Sequence, residues 1–282
     1  LTVRIVTDTA SDLRGDEVDE LAIEVVPLSI RFGNEELVDR EELSVEEFYR
    51  RLGESDELPE TAAPSPGRFE QAFTRQLDAG ADGIVCINLS AELSATMQSA
   101  VTAANALDAD IRVLDSRSVT AGLGSIVVAA ARLAADGAPI DEIVAAVESM
   151  SERTHVYGTL DTLEYLKKGG RIGGAKAMLG SMLSFKPALD ISGGVVQEAG
   201  KPRTRKKALA WLRDTLEAAL PVENLAVMHG EAPDLDQFLQ MLDPIVDLDT
   251  TRIEKIGAVI GTHAGPRVMG IAFQTPSRQP SS

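Results

Sequence analysis

Short apolar runs separated by helical patterns set the rhythm of the first half of this chain. Residues 3–6 (VRIV), 84–89 (IVCINL) and 111–115 (IRVLD) have strand length and are apolar at most positions, the pattern of strands buried on both faces. Between them, residues 67–80 and 94–107 repeat apolar side chains at helical spacing, and residues 118–137 form an alanine-rich helical stretch. Residues 22–39 read as a strand that continues through a Gly-Asn turn. Strands alternating with helices predict a parallel sheet covered on both faces.

Near residue 150 the pattern changes. Residues 154–160, 225–230 and 267–274 read as strands, residues 186–200 as a hairpin turning at Gly193-Gly194, and residues 204–220 as an amphipathic helix. A short helix is expected between Asp161 as its cap and Gly169 after its end. The prediction is therefore an α/β protein of two domains. Residues 1–150 form a three-layer α/β/α domain on a parallel sheet, and residues 151–274 a two-layer α/β domain on a mixed sheet. Residues 275–282, rich in Pro and Ser, are expected to form a disordered tail. A cleft between two such domains is a natural ligand site.

Composition narrows the options. Of 282 residues 44% are apolar but only 4% aromatic, so the core must be aliphatic. With 27 Lys and Arg against 44 Asp and Glu, the net charge of -17 excludes the electrostatic footprint of a nucleic-acid binder and disfavours anionic membrane surfaces. The single cysteine, Cys86, rules out an intrachain disulfide and suits a reducing compartment. No apolar run reaches membrane-spanning length and no signal pattern opens the chain, so a cytoplasmic protein without stable membrane insertion is expected.

Several segments carry candidate chemistry. In TDTASD (7–12), Asp8 and Asp12 end the first strand; with Asp115 they could hold Mg²⁺ in a small-molecule kinase or phosphatase, or simply fasten a turn. In ETAAPSPGRF (60–69), Ser65 and Pro66 suit a helix start, which leaves the Thr61 hydroxyl unexplained. Ser94 sits where a buried strand hands over to a helix, a place that serves both as a cap and as an anion site. KKGGRIGGAK (167–176) lacks phosphate-loop spacing and reads as a surface hinge, with Arg171 free to face a partner. KPRTRKK (201–207) concentrates basic residues in an acidic protein, as a docking patch would. Met178, Leu179, Met182, Leu183 and Phe185 form an apolar stripe that is either core or an adaptable lining for a hydrophobic ligand. His155, His229 and His263 lie far apart without metal-ligand spacing, and His263, in the glycine-rich loop VIGTHAGP, reads as structural or ligand-orienting. A regulatory binder of some other hydrophobic ligand stays open on these residues.

In order along the chain, TDTASD, TAAPSPGRF, LSATMQSA, VLDSRSVTAGLG, TLEYLKKGGRIGG, FKPALDI, KPRTRKKAL, MHG and VIGTHAGP together resemble the DegV family of fatty-acid-binding proteins, the lipid-presenting subunits of bacterial fatty acid kinase. The resemblance spans roughly residues 3 to 273. It implies a two-domain α/β protein, itself not an enzyme and without cofactor or metal, that buries a long-chain fatty acid between its domains. It places Thr61, Ser94 and His263 about the carboxylate, and Arg171 and Arg203 on the surface that meets the ATP-binding kinase subunit. Met178, Leu179, Met182, Leu183, Phe185 and Ile260 become candidates for the acyl tunnel. The chain departs from the family pattern at Ala62-Ala63, Ala95 and Arg267.

Overall fold

The structure, a computed structural model, describes residues 2–55 and 57–277, with side chains described for all of these except residues 180–184. Strands β1 (Val3–Asp8), β2 (Glu24–Val26), β6 (Gly83–Asn88) and β7 (Ile111–Asp115) form a sheet of order β2-β1-β6-β7. All its pairings are parallel. Alternate residues point to opposite faces. Val6, Ile84 and Cys86 pack with Phe69 and Phe73 of α3 (Pro66–Asp78) and with Ala100 of α4 (Thr96–Ala104). Ile5, Val85 and Ile87 turn the other way, into the core shared with α5 (Thr120–Ala135) and α6 (Ile140–Arg153). Both faces are thus covered over β1 and β6, as their apolar runs predict, whereas β7 (111–115), expected to be buried on both faces, is an edge strand with no fully buried residue.

The stretch 22–39 makes the expected Gly-Asn turn, but its first arm is two strands. Past β2, Pro27 interrupts the ladder because it has no N–H to donate. The chain then enters β3 (Ser29–Phe32), turns at Gly33 (φ 58°) and returns as β4 (Glu35–Val38). The far edge of β3 pairs with β5 (Glu60–Ala62), which sets Thr61 opposite Ile30. Helices α1 (Gly15–Glu20) and α2 (Val45–Glu54) complete this region.

The second sheet comprises β8 (Thr154–Thr159), β9 (Ala188–Asp190), β10 (Gln197–Gly200), β11 (Glu223–His229), β12 (Arg252–Lys255) and β13 (Met269–Gln274), in the order β10-β9-β8-β13-β11-β12. Only β11 and β12 run parallel, so the sheet is mixed. On one face Val227, Ile271 and Phe273 pack against α8 (Arg205–Ala219) and α9 (Leu235–Leu242). On the other, Val156, Ala226, Met228 and Ala272 join the core that contains α5. The hairpin predicted at Gly193-Gly194 is β9–β10, and both glycines have positive φ. Two short helices remain, α7 (Glu164–Lys168) and α10 (Ala258–Ala264). Asp161 does not cap α7; its carboxylate pairs with Lys186 at 3.0 Å and Arg267 at 3.4 Å. Among the described residues, no helix is long and apolar enough to cross a membrane.

Helix α5 lies between the two sheets. Residues 120–128 along it are all buried, together with Ala130 and Ala131. A helix apolar all round has no face suited to water, and burial between two layers satisfies it. Its small residues allow the close approach: a β-carbon on Gly124 would lie 2.6 Å from the Ser11 carbonyl oxygen. At the end of the second sheet, Thr275 donates its N–H to the Arg153 carbonyl at 3.0 Å. Of the expected tail, residues 278–282 lie outside those described.

Candidate functional site

The order β2-β1-β6-β7 has a topological switch point: the chain leaves β1 toward β2 and later returns to β6 on the other side of β1. In open α/β sheets the crevice at the carboxyl ends of such strands is where ligands bind. Here that edge faces the mixed sheet, and an apolar cavity occupies the space between them. Its wall is aliphatic: Leu89 and Val119 come from the connections at the carboxyl edge of the parallel sheet, Val156, Leu189 and Met228 from the mixed sheet, and Val259 from α10. The polar residues Thr61, Ser94, Arg171 and His263 line the same cavity, and Arg171 is the only formally charged residue among them.

These four side chains are held in the wall by separate sets of hydrogen bonds. The Thr61 hydroxyl lies 2.9 Å from Nε2 of His263. Arg171 donates from Nε to the Leu93 carbonyl at 3.0 Å and from Nη1 to the Gly169 carbonyl at 2.6 Å, tying the α7 exit to the loop that carries Ser94. Ser94 shares a hydrogen bond with the Thr96 hydroxyl at 2.8 Å and accepts the Thr96 N–H at 3.3 Å, so it braces the start of α4 while facing the cavity. A β-carbon at Gly169 would collide with Nδ1 of His263, so only glycine lets α7 end this close to the imidazole.

His263 lies in the last turn of α10, not in a loop. The glycines around it serve packing more than head-group space. A β-carbon on Gly261 would come within 2.6 Å of the Phe48 ring and 2.9 Å of the Tyr49 hydroxyl, so that glycine brings α10 down onto α2. Burial, with Arg171 adding to it, lowers the His263 pKa from 6.5 to about 4. The imidazole is therefore neutral near pH 7, and its Nδ1 is buried without a hydrogen-bond partner among the described residues. Charge complementarity to an anion comes from Arg171, while His263 and the hydroxyls supply neutral hydrogen bonding.

That depressed pKa has a sign for stability. The fold favours neutral His263, so its contribution is complete above about pH 6.5 and is lost as pH falls toward 4. Asp8 and Asp12, raised by burial to about 6 and about 7, act in the opposite sense over the same interval. The informative quantity is thus the difference between variants. His263→Gln is expected to lose less stability than the parent between pH 7 and pH 4.5 in urea denaturation, and identical losses would contradict the assigned shift.

The carboxylates of the first strand end act as fasteners. Asp8 accepts the Leu89 N–H at 2.9 Å, the Asn88 side-chain amide at 3.1 Å and the Ala10 N–H at 3.0 Å. Asp12 accepts the Gly257 N–H and an Arg40 N–H, each at 3.0 Å. Asp115 accepts the Arg117 and Ala91 N–H groups at 2.8 and 3.2 Å. All three are committed to loop geometry, and among the described residues no group of three or more His, Cys, Asp or Glu side chains is placed to hold a metal ion. His155 stacks beside Tyr157 and Phe273, and His229 ends β11; neither joins the cluster.

Of the six tunnel candidates, Ile260 lines the cavity. Met178 and Phe185 are buried in the adjoining core and Leu179 packs against it, but none of the three reaches the cavity wall. The side chains of Met182 and Leu183 lie outside those described. Arg171, expected to stand free at the surface, is bound into the cavity wall, whereas Arg203 is exposed and joins no ion pair among the described residues. The wall residues Val156, Leu189 and Met228 carry no signal in the sequence, because a strand residue facing a cavity has the same local pattern as one facing plain core.

Fold and site together define an α/β protein in which a parallel and a mixed sheet face each other across an apolar cavity with a polar cluster in its wall. The chain belongs to the DegV family: the family described as "uncharacterised protein, DegV family" matches residues 2–275. A DegV domain-containing protein of Streptomyces coelicolor is 37% identical over 278 residues, covering 97% of this chain and 98% of that protein. Among solved structures, a fatty-acid-binding DegV family protein from Thermus thermophilus shares 31% identity and superposes with a TM-score of 0.90, over 98% of this chain and 100% of that one. DegV of Bacillus subtilis, a fatty acid binding protein, shares 28% identity at a TM-score of 0.85, with 98% and 100% covered.

Proposed function

We propose that this chain binds one long-chain fatty acid, with its carboxylate at the Thr61, Ser94, Arg171 and His263 cluster and its acyl chain along the aliphatic wall. On this reading the ligand lies between a domain of residues 1–150 and one of residues 151–274. The observation that carries it is the combination of an aliphatic cavity with, among the described residues, a single charged lining residue, placed beside the His263–Thr61 pair. Each buried methylene contributes roughly 0.8 kcal/mol, so an aliphatic wall rewards a long chain. A buried carboxylate needs paired donors, and one guanidinium with neutral hydroxyls and an imidazole matches a single negative charge. Fatty acid binding by the Thermus and Bacillus relatives supports the same ligand class.

The reading extends to presentation of that carboxylate to a separate ATP-binding kinase subunit for acyl-phosphate formation. The sequence has no phosphate-loop spacing of its own, and exposed Arg203 beside Lys206 and Lys207 offers cationic surface for such a partner. An enclosed site would also shield an acyl phosphate from water. Mass spectrometry of a denaturing extract of the purified protein tests the ligand: a long-chain fatty acid near one equivalent is expected. Absence of any lipid, together with no uptake of added oleate, would overturn the reading. Loss of kinase-coupled phosphorylation in Arg203→Glu, with lipid occupancy unchanged, is the expected mark of a docking residue.

A further inference from the structure

The polar cluster depends on where α10 holds His263, and the start of that helix is fastened from the opposite end of the sequence. Gly257 is the residue that caps α10, and being glycine it brings no side chain to the helix start. The first N–H groups of a helix have no partner within it. Here the Gly257 N–H donates to Oδ1 of Asp12 at 3.0 Å, a contact spanning 245 residues of sequence. A β-carbon on Gly257 would collide with that same oxygen, so the pair leaves no slack.

Asp12 is itself held firmly. It is buried, 5% exposed, at a left-handed backbone position with φ 51°. Arg40 donates to its Oδ1 at 3.0 Å and to the Leu13 carbonyl at 2.8 Å, so the guanidinium fixes both the carboxylate and the turn that bears it. The same end of α10 is also held by the Tyr49 hydroxyl, which donates to the Ile256 carbonyl at 2.9 Å. From this fastened start the helix runs through Val259 and Ile260, both lining the cavity, to His263.

We propose that Asp12 is a positioning residue for the head-group site: by accepting the Gly257 N–H it sets the height and rotation of α10, and through them the meeting of His263 with Thr61. The binding readout of this proposal rests on the fatty-acid reading above, whereas its structural readout does not. Sites of this kind lose affinity when a supporting contact lets them drift by a fraction of an ångström.

The test uses the full chain with cis-parinaric acid as fluorescent probe and side-chain ¹⁵N spectra of the three histidines. Asp12→Ala is expected to weaken probe binding by roughly 10-fold and to move the His263 Nε2 resonance. Asp12→Asn, which keeps an acceptor for Gly257, should recover most of both. Leu212→Ala, in the core on the far side of the mixed sheet, serves as the stability control and should lower the melting temperature while leaving the probe affinity and the His263 resonance in place. Should Asp12→Ala fail to fold, Gly257→Ala disturbs the same contact from its other side and is expected to move the same resonance. An unmoved His263 resonance in Asp12→Ala and Gly257→Ala would overturn the proposal, as would an equal loss of affinity in Leu212→Ala at matched melting temperature. If the parent protein fails to bind the probe, the fatty-acid reading falls, and the histidine spectra still decide the role of Asp12.

Discussion

Arg171→Ala is expected to weaken fatty-acid binding by about 10- to 100-fold at neutral pH, the largest effect of any single substitution in the head-group cluster. A hydrogen bond to a charged group contributes roughly 1.5–3 kcal/mol, and about 1.4 kcal/mol corresponds to a factor of ten in affinity. Among the described residues the guanidinium is the only formal charge lining the cavity, and with the His263 pKa near 4 no imidazolium stands in for it at pH 7. Arg171→Lys should recover part of the loss, because it keeps the charge but not the fork that reaches the Leu93 and Gly169 carbonyls. Titration with a fluorescent fatty acid checks both variants. Parent-like affinity in Arg171→Ala would remove this residue from the carboxylate site.

The second large effect is on stability. Gly124→Val is expected to destabilise the fold by about 3 kcal/mol, because overpacking a tight core forces backbone to move. The β-carbon alone would stand 2.6 Å from the Ser11 carbonyl oxygen and 3.3 Å from the Leu13 side chain. The first of these is backbone at the β1 exit and cannot rotate aside. Since α5 lies between the sheets, the strain reaches both, and a melting temperature lower by roughly 6–12 °C is expected by calorimetry. Gly53→Ala inside α2, with open space around its β-carbon and no positive φ, is the comparison for replacing a helical glycine without overpacking. A Gly124→Val protein as stable as the parent would show that α5 is not clamped as described.

Much of the fold is legible in the chain because buried strands and amphipathic helices write a local period. Residues 111–115 are β7 to the residue, and 154–160 differs from β8 by one position. Where the period fails, so does the reading. Helix α10 is only seven residues long and contains Gly261, so VIGTHAGP resembles a loop although it is helical. The first arm of the strand and turn expected over 22–39 breaks at Pro27, whose consequence depends on which sheet each side of it joins.

Thr61, Ser94 and His263 each stand out along the chain from their own local surroundings, and they do line one cavity. Arg171 reads as outward-facing because a basic residue between glycines has the local pattern of a surface hinge. Only the fold shows the Leu93 and Gly169 carbonyls waiting for its guanidinium. Met178, Leu179 and Phe185 pack into core beside the cavity, because an apolar pattern cannot distinguish a wall facing a void from one facing packed atoms.

By itself, the sequence determined the α/β class, the two kinds of sheet, the aliphatic core and the hydroxyl and imidazole candidates, because each is encoded within a few residues or in composition. The tertiary structure alone decided that α5 lies between both sheets, that Arg171 enters the cavity, and that Asp12 fastens Gly257 across 245 residues. Those are contacts between segments distant in the chain, and no local period records the partner that a side chain will meet.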